Sequence, residues 1–251
     1  MKKFWLFKDE GEKSALYLYG EISTESWWGD EVTPKDFKKD LDECSGPLDV
    51  HINSGGGEVF AGQAIYNMLK RYDGEVTVYI DGLAASIASV IAMAGDRIIM
   101  PANALMMIHN AWTIGAGNKG ELRKLADELD LLDGTIRDVY AARSGGEAQT
   151  FAEMMDAETW FTAEEALSAG LVDEVEENKT IAASLSGDYA VVNGQRVDVR
   201  RYAHAEKLEA MAADSTDNGG EGQPVQHTDP ALEDQRNRFR AMKRRILDTT
   251  T

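Results

Sequence analysis

Cysteine is almost missing from this chain. Cys44 stands alone among 251 residues, so no internal disulfide framework braces the fold, and a reducing compartment suits it. Basic charge is also short. Lys and Arg number 26 against 44 Asp and Glu, a formal net charge of −18 with a pI near 4.6. Such a field repels phosphate backbones and anionic membranes, which argues against nucleic-acid binding by the chain as a whole. Long apolar runs are absent. The longest, Leu83 to Gly95, has 13 residues, fewer than the ~20 that a spanning helix needs. The opening MKKFWLFKDEGEK turns acidic at once, with neither an apolar stretch nor a cleavage signature. No signal peptide and no membrane are expected, and the expected location is cytoplasmic.

What is present begins with a core. Apolar residues make up 43% of the chain, which excludes wholesale disorder. The charge is uneven: residues 1–180 hold 33 acidic and 16 basic residues, residues 181–251 hold 11 and 10. That shift suggests a body over 1–178 and a short extension over 179–212, with a possible hairpin at Asn193-Gly194. Residues 213–251 would then form a flexible linker and a basic segment, Arg236 to Arg245, with six basic residues and none acidic.

The body reads as alternating strands and helices. Strands are expected at Ala15–Tyr19, Leu48–Asn53, Val76–Ile80, Arg97–Met100, Leu105–His109 and Leu171–Val175. Helical spacing of apolar residues marks Gly62–Tyr72, Ser86–Ala94 and, most strongly, Glu121–Ala142 with its stripe from Leu122 to Tyr140. This alternation predicts an α/β fold with largely parallel strands. The helix at 86–94 has so little polar surface that it should lie at the centre.

Local chemistry gathers in two turns. Asn53-Ser54-Gly55-Gly56-Gly57-Glu58 follows a strand and precedes a helix, and three glycines in a row suit either a tight turn or an approach to bare amides. It has neither the Lys-Ser/Thr of a P-loop nor the spacing of a dinucleotide fingerprint. The second turn, Asp81 to Ser89, puts Ser86 at the start of an apolar helix, where it serves as a cap or as a nucleophile. In the second reading the amides of Ile87 and of the glycine turn converge on a carbonyl oxygen. Ser89, one turn on, should pack in the core. A serine nucleophile needs a base, and only His51, His109, His204 and His227 are available. His51 falls inside a strand and reads as a core residue; His204 and His227 lie at or within the linker. His109 ends a strand, at the sheet edge where open α/β folds place their chemistry.

These residues resemble a family. INSGGGEVFAGQAIYNML, GLAASIASVIAMAGDRIIMPANALMMIH and TWFTAEEALSAGLVDEV, with Ser86 and His109 separated by 23 positions, are similar to the Clp protease proteolytic subunit. Within that family the nearest likeness is to phage head maturation (prohead) proteases, and the extra C-terminal residues lean the same way. The resemblance covers about residues 14–177. It implies a crotonase-like spiral of ββα units with a projecting handle helix, here Glu121–Ala142. It implies Ser86 as nucleophile, His109 as general base, and the amides of Gly57 and Ile87 as oxyanion donors. Gly55 departs from the family's proline. The third triad member maps to Glu158 where the family commonly has aspartate; Asp156 is the local competitor, and Asp173 maps outside the triad.

The implied activity is serine endopeptidase chemistry on polypeptide substrates inside a ring-forming homo-oligomer, with no metal or organic cofactor. The chain has no Walker A sequence, so any ATP dependence would belong to a separate AAA+ unfoldase. Phage scaffold and capsid proteins are the substrates expected on the phage reading, and protein turnover is the alternative. Two readings of other classes remain beside these: a crotonase-type acyl-CoA enzyme and a catalytically idle scaffold component.

Overall fold

The computed structural model describes residues 3–23, 34–177, 183–186 and 188–214. Its first two strands, β1 (Trp5–Asp9) and β2 (Ser14–Tyr19), form an antiparallel hairpin. From β2 the main sheet continues in parallel through β3 (Leu48–Ser54), β4 (Val76–Ala85), β5 (Arg97–Pro101) and β8 (Glu174–Glu176). Leu48, Val50, Ile52, Val76, Val78 and Ile80, alternate residues that share one face of the sheet, are all buried, whereas His51, Thr77 and Tyr79 on the other face are partly exposed. Helices α1 (Pro34–Asp42), α2 (Val59–Leu69) and α3 (Ile87–Ala92) pack beside the sheet.

The sheet forks along β4. Thr77–Tyr79 pair with β5, whereas Leu83–Ala85 pair with β6 (Leu105–Ile108). The fork coincides with an irregularity: Ile52 pairs with Ile80, but Ser54 pairs with Ala84, so β4 carries extra residues at this point. Such bulges re-aim a strand, and they gather beside active sites. β6 then takes β7 (Thr159–Thr162) as an antiparallel partner. The sheet is thus largely parallel, as the sequence suggested, with antiparallel pairing at β1 and at β7.

α3 is buried at every position from Ile87 to Ala92, as its lack of polar surface predicts. α4 (Lys119–Ser144) starts with a capping box between Asn118 and Glu121 and ends on Gly145 in the left-handed conformation. Only Ile136 and Tyr140 on it are buried. Of the leucine stripe, Leu122 is exposed and Leu125, Leu129 and Leu132 are half-buried, so its N-terminal half is incompletely covered. α5 (Ala148–Asp156) and α6 (Ala163–Ser168) complete this part, and neither is marked by the sequence reading. The strand expected over Leu171–Val175 starts only at Glu174: the Leu171 amide closes the turn after α6 on the Ala166 carbonyl, and the Asp173 amide first reaches β5 at the Ile98 carbonyl.

Residues beyond the body are built into it. Strands β9 (Ala183–Ser186), β10 (Tyr189–Val192) and β11 (Gln195–Asp198) form a second, antiparallel sheet, with a hairpin at Asn193-Gly194. A 3-10 turn (Val199–Arg201) and α7 (Glu206–Asp214) follow. Ala190, Val192, Val197, Tyr202 and Leu208 are buried, and the described residues fall in one compact unit. The hairpin sits over the fork. Asn53 donates to the Val192 carbonyl at 2.8 Å, and Asn193 donates to the Asp81 carbonyl at 2.7 Å. Gly82 admits Val192, whose Cγ1 would stand 2.8 Å from a β-carbon there. The rest of the expected linker and the basic segment Arg236–Arg245 lie outside the described residues, as does His227.

Candidate active site

Ser86 stands where β4 becomes α3. Its backbone has φ 56° and ψ −133°, a conformation unfavourable for a residue with a β-carbon. Neighbours fix it there. Its amide donates to the Met107 carbonyl at 3.0 Å, and its carbonyl accepts from the Ser89 amide at 2.9 Å and the Ser89 hydroxyl at 2.6 Å. Tyr140 holds Ser89 in turn, with the hydroxyls 2.8 Å apart. The Ser86 side chain makes no cap bond to the helix. Instead its Oγ lies 2.8 Å from Nε2 of His109.

His109 arrives on the end of β6, the strand that replaces β5 at the fork. Burial pushes its pKa below the ordinary histidine value, and the charge of Glu158 opposes that shift. The imidazole is thus held neutral, the form that accepts a proton.

The glycine turn lies directly over the serine. A β-carbon on Gly56 would stand 2.6 Å from Cβ of Ser86 and 2.8 Å from the Ala85 carbonyl, and Gly56 has φ +91°. Gly57 (φ +149°) bridges Ile22 in parallel register. In that bridge Ile22 bonds the Gly56 carbonyl and the Glu58 amide, which leaves the Gly57 amide turned the other way. With the Ile87 amide at the first turn of α3, where no intrahelical acceptor exists, two donors are available beside the hydroxyl. Together these groups can deprotonate a hydroxyl and hold a tetrahedral oxyanion.

The acidic candidates separate clearly. Asp156 ends α5, is exposed, and accepts from the Asn110 amide at 2.7 Å. Glu158 is partly buried and has φ 47°. The two therefore do not lie on one extended segment. Asp173 accepts from the Ile98 amide at 2.6 Å and pairs with Arg143, away from His109. Glu158 is near enough to His109 to act on its pKa, but among the described residues no hydrogen bond joins them. Its oxygens accept from the amides of Ala203 and His204, each at 2.7 Å, and from Trp160 Nε1 at 3.2 Å.

His51 is not a core residue. It lies half-exposed on a sheet face, stacked between Tyr17 and Tyr79, with Nδ1 3.0 Å from the Asp81 carboxylate. Strand alternation put it on the side not covered by helices. The residue missed by sequence reasoning is Tyr202. It is buried against Trp160, its ring centroid 6.2 Å from that of His109, and its hydroxyl donates to the Gly55 carbonyl at 2.6 Å. A signal did exist. Glycine at 55 leaves room that a side chain would close, since a β-carbon there would meet the Tyr202 hydroxyl at 3.0 Å and Val197 at 3.1 Å.

Fold and site together define a class: an α/β body with a serine–histidine pair at the fork of its sheet and a glycine turn packed against the serine. The chain belongs to the Clp protease family, whose profile matches residues 34–179. It is 34% identical over 131 residues to the ATP-dependent Clp protease proteolytic subunit 3 of Streptomyces coelicolor, covering 51% of this chain and 60% of that one. A proteolytic subunit from Deinococcus radiodurans gives 34% over 131 residues, 51% of this chain and 64% of its own. The chain thus spans somewhat under two thirds of these relatives' length. Subunit 2 of Tropheryma whipplei gives 30% over 148 residues, 58% and 82%. Among solved structures, a point mutant of ClpP1 from Listeria monocytogenes superposes with a TM-score of 0.55 at 28% identity, over 66% of this chain and 92% of that one. The fold is ClpP-like. Among the described residues no helix is long and apolar enough to cross a membrane.

Proposed function

We propose that this chain is a serine endopeptidase of the Clp type, acting in protein turnover as the proteolytic subunit of a larger assembly. The observation that carries the reading is the 2.8 Å contact between Ser86 Oγ and His109 Nε2, and the amides of Gly57 and Ile87 are the oxyanion donors assigned beside it. Ser86 attacks the peptide carbonyl as His109 takes its proton, and the two amides stabilise the oxyanion. His109 then protonates the leaving amine, and water attacks the acyl-enzyme with His109 again as base. Glu158 is the acid assigned to orient His109. The shallow depression beside Ser86 is walled by Val59, Val90, Ile136 and Tyr140 and offers no cation for a CoA phosphate.

The named relatives are ATP-dependent Clp proteolytic subunits, which supports turnover ahead of the capsid maturation expected from the extra C-terminal residues. Part of that stretch packs against the body in this chain: Val192, Asn193 and Tyr202 contact Gly82, Asp81 and Gly55. ATP hydrolysis would fall to a separate unfoldase. The incompletely covered apolar stripe of α4 supports self-association into the ring that confines substrate. Peptide hydrolysis by the purified chain and by Ser86→Ala and His109→Ala tests the reading. Both variants should fold yet lose nearly all turnover, and retained cleavage by Ser86→Ala would refute it.

A further inference from the structure

We propose that the C-terminal extension is a latch on the catalytic acid: Tyr202–His204 holds the Glu158 carboxylate off His109, and opening that contact completes the triad. The inference rests on the assignment of Ser86, His109 and Glu158 made above.

Both Glu158 oxygens are occupied. Oε2 accepts from the Ala203 amide and Oε1 from the His204 amide, each at 2.7 Å. Hydrogen bonds to an ionised carboxylate are the strong kind. Glu158 reaches them from a left-handed backbone, φ 47°, which costs energy in a glutamate and so is kept only where contacts hold it. The segment itself is pinned at both ends. Tyr202 bonds the Gly55 carbonyl, Arg201 pairs with Glu21 at 2.8 Å, and Lys207 donates to the Trp160 carbonyl at 2.9 Å. Gly55 is shaped to receive it, because any side chain there crowds Tyr202 and Val197.

The consequence concerns His109. Without a carboxylate at Nδ1 the imidazole has no fixed tautomer, and the imidazolium formed during attack lacks its counter-charge. Loss of that support in a related triad costs about 10⁴-fold in rate. The Ala203 and His204 bonds lie in exposed surroundings, so water can satisfy both amides once Glu158 turns away. The latch is therefore able to open without unfolding the body. If the two amides instead served to aim Glu158 at His109, loosening them would slow the enzyme, so the two accounts differ in sign.

Ala203→Pro removes the amide that bonds Oε2, and Tyr202 has φ −115° and ψ 143°, the conformation favoured before proline. Its kcat/KM on a fluorogenic peptide should rise about 10-fold or more, part of the span an oriented acid controls. Ala203→Pro combined with Glu158→Gln should lose that gain. Tyr202→Phe, which deletes the bond to Gly55 and keeps the ring, should give a smaller rise with the same dependence on Glu158. It carries the test alone if the melting transition shows that proline disturbs the fold. Unchanged or slower turnover in these variants, or a gain that survives without Glu158, overturns the latch. Fluorophosphonate labelling of Ser86 separates the causes. Labelling with flat rates condemns the latch only, and no labelling in any variant condemns the catalytic assignment beneath it.

Discussion

Gly56 is the residue on which the geometry leaves least room. A β-carbon there falls 2.6 Å from that of Ser86, so Gly56→Ala should displace the nucleophile, and misplacement by about 1 Å can cost on the order of 10²-fold. Peptide turnover at wild-type rate in that variant would show that the loop stands clear of the serine. Gly57→Ala should act differently. Its β-carbon would overlap the Ile22 backbone at 2.0 Å, so the melting temperature should fall together with activity. The pH profile follows from His109. Burial lowers its pKa, and the base must be neutral, so kcat/KM should be full above that pKa and lost as pH falls through it. The acid limb should sit below the ~6.5 of an unperturbed histidine. A limb above that value would mean that a carboxylate already holds the ring.

Among the elements, α4 carries the sharpest expectation. It is capped at both ends, yet only Ile136 and Tyr140 are buried, while Leu122 and Leu131 face outward. Replacing Leu125, Leu129 and Leu132 by serine should lower the oligomeric mass and the activity together, as light scattering and peptide hydrolysis would show. An unchanged, active oligomer would mean that the stripe serves its own subunit. The elements also show what the sequence could reveal. Strands β3 and β4 and helices α2, α3 and α4 were legible because apolar spacing there matches burial. β1 was not, because its pattern mixes Trp5 and Phe7 with exposed lysine and acid. β7 was hidden because its four residues, Thr159–Thr162, are too few to show a strand's alternation. The pairing of Ser86 with His109 was legible from the serine's place at a helix start and the histidine's at a strand end. The pairing of Glu158 with amides 45 and 46 residues away left no local pattern.

The whole molecule joins a matched family body to a docked extension. Residues 183–214 bury Ala190, Val192, Val197 and Leu208, so a cut at 182 would bare apolar surface over the sheet fork. Deleting residues 215–251 removes none of these contacts. That truncation should melt within a few degrees of the full chain and hydrolyse a small peptide at a similar rate. A large loss of either would place a structural element in the distal segment. The most direct test of the central claim is active-site labelling with a fluorophosphonate, followed by mass mapping of the modified peptide. A single label on Ser86 is predicted in the native chain, absent after heat denaturation and in His109→Ala. A native chain that stays unlabelled, or one labelled at another serine, would contradict it.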